Sequence, residues 1–448
     1  MNLKKLCPMP RRAMWAWLVI ASWCGAAAQA DDWPQWLGPQ RDSQWREDGI
    51  IDRIPAQGLK VLWRAPVQYG YAGPAVADGR VYVPDLVVEE GEVQNSPSGR
   101  NELRGRERLL CLDAATGKLL WQDEEPVEYR LSYAAGPRAT PTVADGKVYV
   151  LGAEGFLRCL DATTGKRIWA RDFKKDYGAE TPIWGFCSAP LVDGQKLICV
   201  VGGKGSLVVA FDKDNGREIW KALTAEEPGY APPTMIEAAG RKQLLIWPPD
   251  QLYSLNPDTG EVYWQQPLKP DYGMSITAPR QAGDYLFASG MGNVGALFKL
   301  SQDKPDASVV WRGKVDNAVY CANSTPIIEG ETIYGVDCRT GALIAVDLKT
   351  GDRLWQTFQP TTGDRRAGHG TAFLVQNGDR YFLFNEQGDL IIARITRQGY
   401  DEIGRFHVLK PTNEAFNRPV VWSHPAFAQR CLFARNDQEI VCVSLAKE

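Results

Sequence analysis

An eleven-residue motif that recurs along this chain constrains its fold more than any other feature. It reads CLDAATGKLLW at residues 111–121 and CLDATTGKRIW at residues 159–169, with eight of the eleven positions identical. Further copies, some of them degenerate, end at Trp220, Trp264, Trp311, Trp355 and Phe406. From Trp63 to Phe406 the closing aromatic residues are 49 positions apart on average. A fixed period of this size indicates a repeat architecture in which each unit packs on its neighbours.

Between the motif copies lie apolar runs joined by Asp-Gly or other glycine-containing turns, as in TPTVADGKVYVLG at residues 140–152. Each unit therefore predicts four antiparallel strands, the pattern of a β-propeller blade. The sequence predicts an all-β protein with a single eight-bladed β-propeller at residues 60–448, and seven blades are the alternative. The strand around Trp63 is expected to complete the last blade, so that N- and C-terminal strands close the ring and leave no free edge.

The recurrent residues of the motif have structural explanations. The aspartate can accept hydrogen bonds from the amides of the following turn, the glycine allows a positive φ, and the tryptophan can fill the wedge between blades. Lys118 corresponds to Glu261 and Asp352 in other copies, which excludes a shared catalytic role for it. The predicted docking residues are Asp113, Gly117, Trp121, Asp161, Gly165, Trp169, Asp212, Gly216, Trp220, Gly260, Trp264, Asp347, Gly351 and Trp355.

The N-terminus predicts export. Residues 1–30 combine a basic start, an apolar run at 13–22 that is too short to span a bilayer, and the small-x-small sequence Ala28-Gln29-Ala30, which together indicate a cleaved signal peptide. Its removal leaves 47 Lys and Arg against 54 Asp and Glu with no basic patch, so nucleic acid is not an expected partner. We expect a periplasmic or extracellular protein, monomeric and without a membrane span.

Two segments stand outside the repeat. Residues 31–59 form a Trp-rich N-terminal segment, and its Trp33, Trp36 and Trp45 are expected to hold it across the propeller surface. Residues 85–108 make the first blade the longest, and their polar, charged sequence predicts an extended hairpin loop on one face of the propeller.

The tandem AxDxxTGxxxW motif resembles the tryptophan-docking motif of the pyrroloquinoline quinone (PQQ) repeat propellers. That group includes quinoprotein alcohol and glucose dehydrogenases and the propeller lipoprotein of the outer-membrane barrel-assembly machinery. WPQWLGPQRD at residues 33–42 is similar to a segment of secreted members of the same group. The resemblance implies an eight-bladed propeller, and it implies neither an enzyme nor a binding protein by itself.

Candidate site residues come from the loops that lead into the innermost strands, because those loops converge on the central funnel. The predicted funnel-rim residues are Arg138, Trp184, Asn323, Arg365, Arg366, His369, Trp422 and His424. No catalytic residue is predicted. With three histidines and no cluster of ligands in sequence, no metal site is expected.

The quinoprotein dehydrogenases carry adjacent cysteines, a calcium site and a catalytic aspartate, none of which has a matching position in this sequence. We therefore expect no cofactor, and PQQ with calcium in the funnel is the alternative. Separately, a two-residue turn at Asn436-Asp437 would place Cys431 opposite Cys442, which makes a cross-strand disulfide a hypothesis. The leading hypothesis is an exported, non-enzymatic binding or scaffold module for a protein or small ligand, and a PQQ-dependent oxidoreductase is the alternative.

Overall fold

A computed structural model describes Met1 and residues 31–97 and 99–447. The predicted signal peptide lies outside the described residues. Eight four-stranded antiparallel sheets form the blades of one propeller, which confirms the all-β, eight-bladed prediction. In seven blades the strands are hydrogen-bonded in chain order, and the first strands of several neighbouring blades are in contact around the axis. Among the described residues, no helix has the length and apolar character needed to cross a membrane.

The strands of the first half of the ring follow the closing strand β1 (Val61–Pro66). Blade 1 consists of β2 (Ala75–Ala77), β3 (Arg80–Glu90), β4 (Asn101–Asp113) and β5 (Leu119–Leu131). Blade 2 consists of β6 (Thr142–Ala144), β7 (Lys147–Leu151), β8 (Phe156–Asp161) and β9 (Arg167–Asp172), and the short helix α1 (Phe173–Tyr177) follows it. Blade 3 consists of β10 (Leu191–Asp193), β11 (Lys196–Val200), β12 (Val208–Asp212) and β13 (Glu218–Ala222). Blade 4 consists of β14 (Thr234–Ala238), β15 (Arg241–Ile246), β16 (Gln251–Leu255) and β17 (Val262–Pro267).

The second half begins after a 3-10 turn at Asp271–Gly273. Blade 5 consists of β18 (Arg280–Ala282), β19 (Tyr285–Gly290), β20 (Val294–Leu300) and β21 (Ala307–Arg312). Blade 6 consists of β22 (Ile327–Glu329), β23 (Thr332–Val336), β24 (Leu343–Asp347) and β25 (Arg353–Thr357). Blade 7 consists of β26 (Ala372–Asn377), β27 (Arg380–Asn385), β28 (Asp389–Thr396) and β29 (Gly399–His407). A separate hairpin, β30 (Asn413–Ala415) and β31 (Arg418–Val420), precedes β32 (Ala426–Ala428), β33 (Cys431–Arg435) and β34 (Glu439–Ser444) of blade 8.

Blade 8 closes the ring as the sequence predicts. Its outer strand is β1, which pairs antiparallel with β34 and places Trp63 opposite Cys442. The two ends of the chain therefore depend on each other, because β1 has no partner and β34 has one free edge until the termini meet. The seven-blade alternative is excluded by the eight sheets.

The expected pairing of Cys431 with Cys442 is wrong in register. In the β33–β34 hairpin Cys431 lies opposite Ser444, and Cys442 lies opposite Phe433. The Asn436 side chain accepts hydrogen bonds from the amides of Gln438 and Glu439, both at 2.8 Å, and this lengthens the connection from two residues to four. The two cysteines are diagonal neighbours on one face of the hairpin, and both are free thiols in the described structure.

The motif turns have the structure that their residues predict. In the first copy the Asp113 carboxylate accepts hydrogen bonds from the backbone amide and the hydroxyl of Thr116, at 2.9 and 2.7 Å. Gly117 has φ +71°, and it lies against the ring of Trp63 from the neighbouring blade. The Trp63 indole donates to the Ala114 carbonyl at 2.8 Å, which joins the two blades through one turn.

The same contact recurs around the ring, so that a motif glycine lies beneath the tryptophan of the preceding blade. The pairs are Trp63 with Gly117, Trp121 with Gly165, Trp169 with Gly216, Trp220 with Gly260 and Trp311 with Gly351. Trp264 departs from the pattern because the motif of the next blade is degenerate. Its indole donates instead to the Gln243 side chain of its own blade, at 2.8 Å.

The N-terminal segment 31–59, here called the strap, lies across the face of the propeller that carries the β-hairpin turns between first and second strands. Trp33 and Val76 of blade 1 exchange two backbone hydrogen bonds, and Trp45 donates to Gln376 of blade 7. The Arg41 guanidinium donates to the Ala189 and Pro190 carbonyls that lead into blade 3. The motif turns are on this same face, since the Ala114 amide donates to the Gly79 carbonyl.

The insertion in blade 1 is an extended hairpin, as predicted, in which β3 and β4 are much longer than their counterparts. Its tip, described at residues 91–97 and 99–100, bends back over the opposite face from the strap. There the Ser96 carbonyl accepts from the Ser132 hydroxyl, and Arg100 donates to the Arg130 carbonyl at 2.9 Å. This places Pro97 beside the mouth of the central cavity.

Candidate functional site

A cavity of about 670 Å³ lies on the propeller axis, on the face opposite the strap. We call it the axial pocket. Each of the eight loops that lead into an innermost strand contributes a side chain to its wall, among them Tyr71, Tyr133, Trp184, Tyr230, Met274, Asn323, His369 and Trp422. The remaining wall is formed by Pro97, Arg138, Ile183, Cys187, Tyr272, Ile276, Met291 and Phe416. Its size is in the range of small-molecule sites.

The wall of the axial pocket is mostly aromatic and apolar. Trp184 and Tyr230 are in contact with their ring centroids 5.4 Å apart, and Tyr133 and Trp422 at 5.9 Å. The hydroxyl groups of Tyr133 and Tyr230 are buried without a hydrogen-bond partner in the described structure. The backbone amide of Trp184 lies near the Tyr230 hydroxyl oxygen but outside hydrogen-bond geometry. Because an amide N–H is a donor, it could not accept the proton of that hydroxyl. An unmet donor in an apolar wall costs free energy unless a ligand accepts it.

Four of the ring-bearing residues around the axial pocket have a left-handed backbone. The φ angles are +49° at Tyr133, +56° at Tyr272, +58° at His369 and +51° at Phe416. Bulky residues rarely adopt this conformation, and each instance costs on the order of 1–3 kcal/mol. Such strain is concentrated at binding and catalytic sites, and here it holds four side chains against one cavity.

His369 is the most polar aromatic group of the wall. Its imidazole stacks on the Phe416 ring with the planes 3° apart and the centroids at 4.8 Å. The Cys338 thiol lies 3.3 Å from Nδ1, and the Asn323 carbonyl oxygen lies 3.4 Å from the same atom. Burial, aided by the positive charge of Arg418, lowers the pKa of His369 to about 4, while burial raises the pKa of Cys338 to about 12. Near neutral pH both groups are uncharged, so the thiol is not an activated nucleophile.

Below the axial pocket a narrower cavity of about 150 Å³ continues toward the strap, where Trp36 forms part of its wall. His424 lines this lower level, with its ring 4.8 Å from the Phe373 ring and 6.5 Å from the Trp36 ring. Its Nδ1 is 2.8 Å from the Pro425 carbonyl, which fixes that nitrogen as the donor of the neutral ring. Burial lowers the pKa of His424 to about 4.

Among the described residues, Arg138 is the one cationic side chain in the wall of the axial pocket. Its guanidinium donates to the carbonyls of Ser132, Tyr133 and Gly136, with distances of 3.0 Å to Ser132 and 2.6 Å to Gly136. These bonds hold the loop that carries Tyr133, so Arg138 shapes the cavity. Asn323 donates to the Thr371 hydroxyl at 3.0 Å and fixes the neighbouring loop in the same way.

A second cavity of about 840 Å³ opens on the same face beside blades 7 and 8. We call it the basic groove, since Arg365, Arg366, Lys410 and Arg418 are in its wall. Glu386 is the one acidic residue in the part of this wall that the structure describes, and it binds Arg418 at 2.6 and 3.2 Å. Phe416, at the tip of the β30–β31 hairpin, belongs to the walls of both cavities.

The predicted rim residues are distributed over these three cavities. Arg138, Trp184, Asn323, His369 and Trp422 meet at the axial pocket, His424 lies in the lower level, and Arg365 and Arg366 lie in the basic groove. Sequence reasoning missed the aromatic residues Tyr71, Tyr133, Tyr230, Tyr272 and Phe416. A signal existed for three of them, because Tyr-Ala followed closely by Pro occurs before the innermost strand at Tyr71, Tyr133 and Tyr230.

The wall of the axial pocket does not suit PQQ held with calcium. Calcium requires several oxygen ligands, usually including carboxylates, and neither level of the axial cavity has a described Asp or Glu in its wall. Across residues 31–97 and 99–447, no three His, Cys, Asp or Glu side chains are grouped as a metal site requires. The guanidinium of Arg138 gives three of its five N–H groups to backbone carbonyls, which leaves two for a quinone carboxylate.

Comparison with known proteins agrees with the fold. The chain is similar to BamB from Moraxella catarrhalis, with a TM-score of 0.55 and 15% identity over 86% of this chain and 97% of that one. It is also similar to quinohemoprotein alcohol dehydrogenase from Comamonas testosteroni, with a TM-score of 0.60 and 13% identity over 93% and 81% of the two chains. A europium-containing methanol dehydrogenase matches with a TM-score of 0.59 and 13% identity over 92% and 89%.

At these identities the structural likeness establishes the fold alone. No curated protein matches the sequence. A family model described as outer membrane protein assembly factor BamB matches residues 47–173, 105–357 and 251–448, which together cover most of the chain. With its eight PQQ-like blades and this match, the chain belongs to the BamB family of PQQ-like β-propellers.

Proposed function

We propose that this protein is an exported, non-enzymatic binding module that holds a small apolar ligand in the axial pocket. The observation that carries the proposal is the left-handed backbone at Tyr133, Tyr272, His369 and Phe416, all of which line that cavity. Folding tolerates such strain where the surrounding structure needs a side chain in one place. Four such residues around one apolar cavity support a ligand site better than they support packing.

The chemistry of the wall supports binding rather than turnover. The Cys338 thiol and the His369 imidazole are in contact, but burial keeps the thiol protonated and the imidazole neutral. The buried hydroxyls of Tyr133 and Tyr230 are donors that an ether, carbonyl or hydroxyl oxygen of a ligand can accept. The ligand is thus expected to be apolar with an isolated acceptor oxygen.

Two alternatives follow from other observations. Family membership supports a scaffold role with a protein partner, because the matched family is described by an outer-membrane assembly function. The likeness to quinohemoprotein alcohol dehydrogenase suggests an oxidoreductase, but the missing carboxylates in the cavity wall count against calcium-bound PQQ. A chemical crosslinking pull-down from the periplasm tests the first alternative, and dye-linked alcohol oxidation with added PQQ and calcium tests the second.

The binding proposal is tested with N-phenyl-1-naphthylamine, a neutral dye whose fluorescence rises in an apolar site. We expect saturable binding of one dye per chain, weakened at least fivefold by Trp184→Ala or Tyr272→Ala. Tyr263→Ala is the matched control, since Tyr263 lies on the outer strand of blade 4. Circular dichroism melts confirm that each variant is folded. Dye binding that fails to saturate, or that is unchanged in both pocket variants, contradicts the proposal.

A further inference from the structure

Three cations of the basic groove have no acidic partner. Arg365, Arg366 and Lys410 are exposed, and none of them forms an ion pair with another described residue. The fourth cation, Arg418, is bound to Glu386 at 2.6 Å. Glu386 also accepts from the Trp422 indole at 3.1 Å and from the Thr371 amide at 3.2 Å, so its carboxylate is fully engaged. The groove therefore presents three uncompensated positive charges on a protein whose overall charge is negative.

The basic groove and the axial pocket are adjacent halves of one surface. Gly368 lies in the wall of the groove and His369 in the wall of the pocket, one residue apart in the chain. Phe416 belongs to both walls and is half exposed at the tip of its hairpin. One bound molecule can therefore occupy the pocket and extend across the Phe416 ring into the groove along the protein surface.

We propose that the ligand of the axial pocket is an amphipathic anion, with its apolar body in the pocket and a carboxylate or phosphate bound by Arg365, Arg366 and Lys410. This inference rests on the proposed function, because it names the class of ligand that the axial pocket takes. Guanidinium groups bind carboxylate and phosphate oxygens through paired N–H donors, and Lys410 adds a third cation. Both headgroups present the same chemistry to the groove, so the experiment distinguishes them.

The charge of the groove also explains why the anionic group of the ligand should lie in the groove and not inside the axial pocket. Among the described residues, the aromatic wall of the pocket offers the two free Tyr hydroxyls and one cation, Arg138, which already gives three of its five N–H groups to backbone carbonyls. An anionic group inside that wall would lose its hydration and gain only this one, partly engaged cation. In the groove the anionic group keeps contact with water and interacts with three positively charged side chains.

The test uses displacement of N-phenyl-1-naphthylamine from the full mature chain by three ten-carbon competitors, decanoate, decyl phosphate and decanol. We expect both anions to displace the dye at concentrations at least tenfold lower than decanol. Arg365→Gln, Arg366→Gln and Lys410→Gln combined should remove that advantage, while dye and decanol affinities stay unchanged. Raising the salt from 50 mM to 500 mM should weaken decanoate more than decanol.

The matched control changes the same charge on the opposite face. Lys118→Gln, Lys166→Gln and Arg217→Gln remove three exposed cations from motif turns and should leave the advantage of the anions intact. If the dye does not bind at all, the proposed function fails. If the dye binds but anions and decanol compete equally, or if the groove variant keeps the advantage, the axial ligand is neutral and this inference is wrong. Preference for one anion over the other identifies the headgroup.

Discussion

The indole of Trp121 lies directly against the backbone of Gly165 in the next blade, so that a Cβ added at Gly165 would be 2.6 Å from the ring. Gly165 has φ +73°, and Gly146 in the same blade has φ +71° with open space around its Cα. The two glycines therefore have nearly the same φ, and only at Gly165 would an added Cβ have a neighbour within contact distance. Their comparison separates the cost of backbone conformation from the cost of steric overlap.

We predict that Gly146→Ala lowers the free energy of unfolding by about 1–2 kcal/mol, because alanine in the left-handed region is strained. Gly165→Ala should lower it by a further 1–3 kcal/mol, roughly the cost of forcing packed groups apart. Urea denaturation of the two variants and the parent chain measures both values. Equal destabilisation would mean that the tryptophan moves away at little cost, and that the glycine serves the turn alone.

The fold was predictable because its determinants repeat. The motif copies that end at Trp121, Trp169 and Trp220 encode the same turn and the same contact, and the eight closing aromatic residues from Trp63 to Phe406 give the number of blades. The site was not predictable to the same degree, because each loop around the axis occurs once. Tyr272 and Phe416 line the pocket from loops of different length, and no periodicity marks them. The predicted register of Cys431 was wrong for a local reason, because the Asn436 side chain closes a four-residue turn.

Phe416 allows a test of whether backbone strain at the pocket wall is retained for ligand binding. Asparagine tolerates the left-handed region, so Phe416→Asn should relieve about 1 kcal/mol of backbone strain. It also removes the stack on His369, which is worth on the order of 0.5–1.5 kcal/mol, so the free energy of unfolding should change by less than about 1 kcal/mol. Affinity for N-phenyl-1-naphthylamine should nevertheless fall at least threefold. Urea denaturation and dye titration measure the two effects, and Val315→Ala, at another exposed apolar residue outside the pocket wall, is the control.

A loss of more than about 2 kcal/mol in Phe416→Asn with unchanged dye affinity would make Phe416 a packing residue. In that case the hairpin β30–β31 would stabilise the junction of blades 7 and 8 and would not contribute to the ligand site.

His424 should make stability depend on pH in a defined window. Burial lowers its pKa in the folded protein to about 4, while in the unfolded chain the pKa is about 6.5. Above pH 6.5 both states are neutral and the full stability is present. As the pH falls from 6.5 to 4 the unfolded chain takes up a proton that the folded protein does not, and stability is lost by up to about 3 kcal/mol.

Urea denaturation at pH 7.5, 6, 5 and 4.5 checks this dependence. In His424→Gln the free energy of unfolding should fall less steeply between pH 6.5 and 4.5. The difference in slope should correspond to up to one proton fewer taken up on unfolding. His369, whose pKa is also about 4 in the folded state, should account for a similar part of the remaining slope. An unchanged slope in His424→Gln would show that the ring is already solvated.

Cys431 and Cys442 should remain free thiols in the folded protein. Diagonal neighbours in an antiparallel pair have Cα atoms about 7–8 Å apart, beyond the roughly 4.4–6.8 Å that a disulfide spans. A thiol hydrogen bond suits this arrangement, and the one from Cys442 lowers the pKa of Cys431 while the pKa of Cys442 is raised. We predict that iodoacetamide added to the denatured, unreduced protein labels both cysteines. A tryptic fragment pair two mass units lighter and unlabelled would instead establish the disulfide, and would require β33 and β34 to shift by two residues. Cys199, buried in blade 3 and opposite Val209, gives the labelling expected of a thiol with no cysteine in its strand pair.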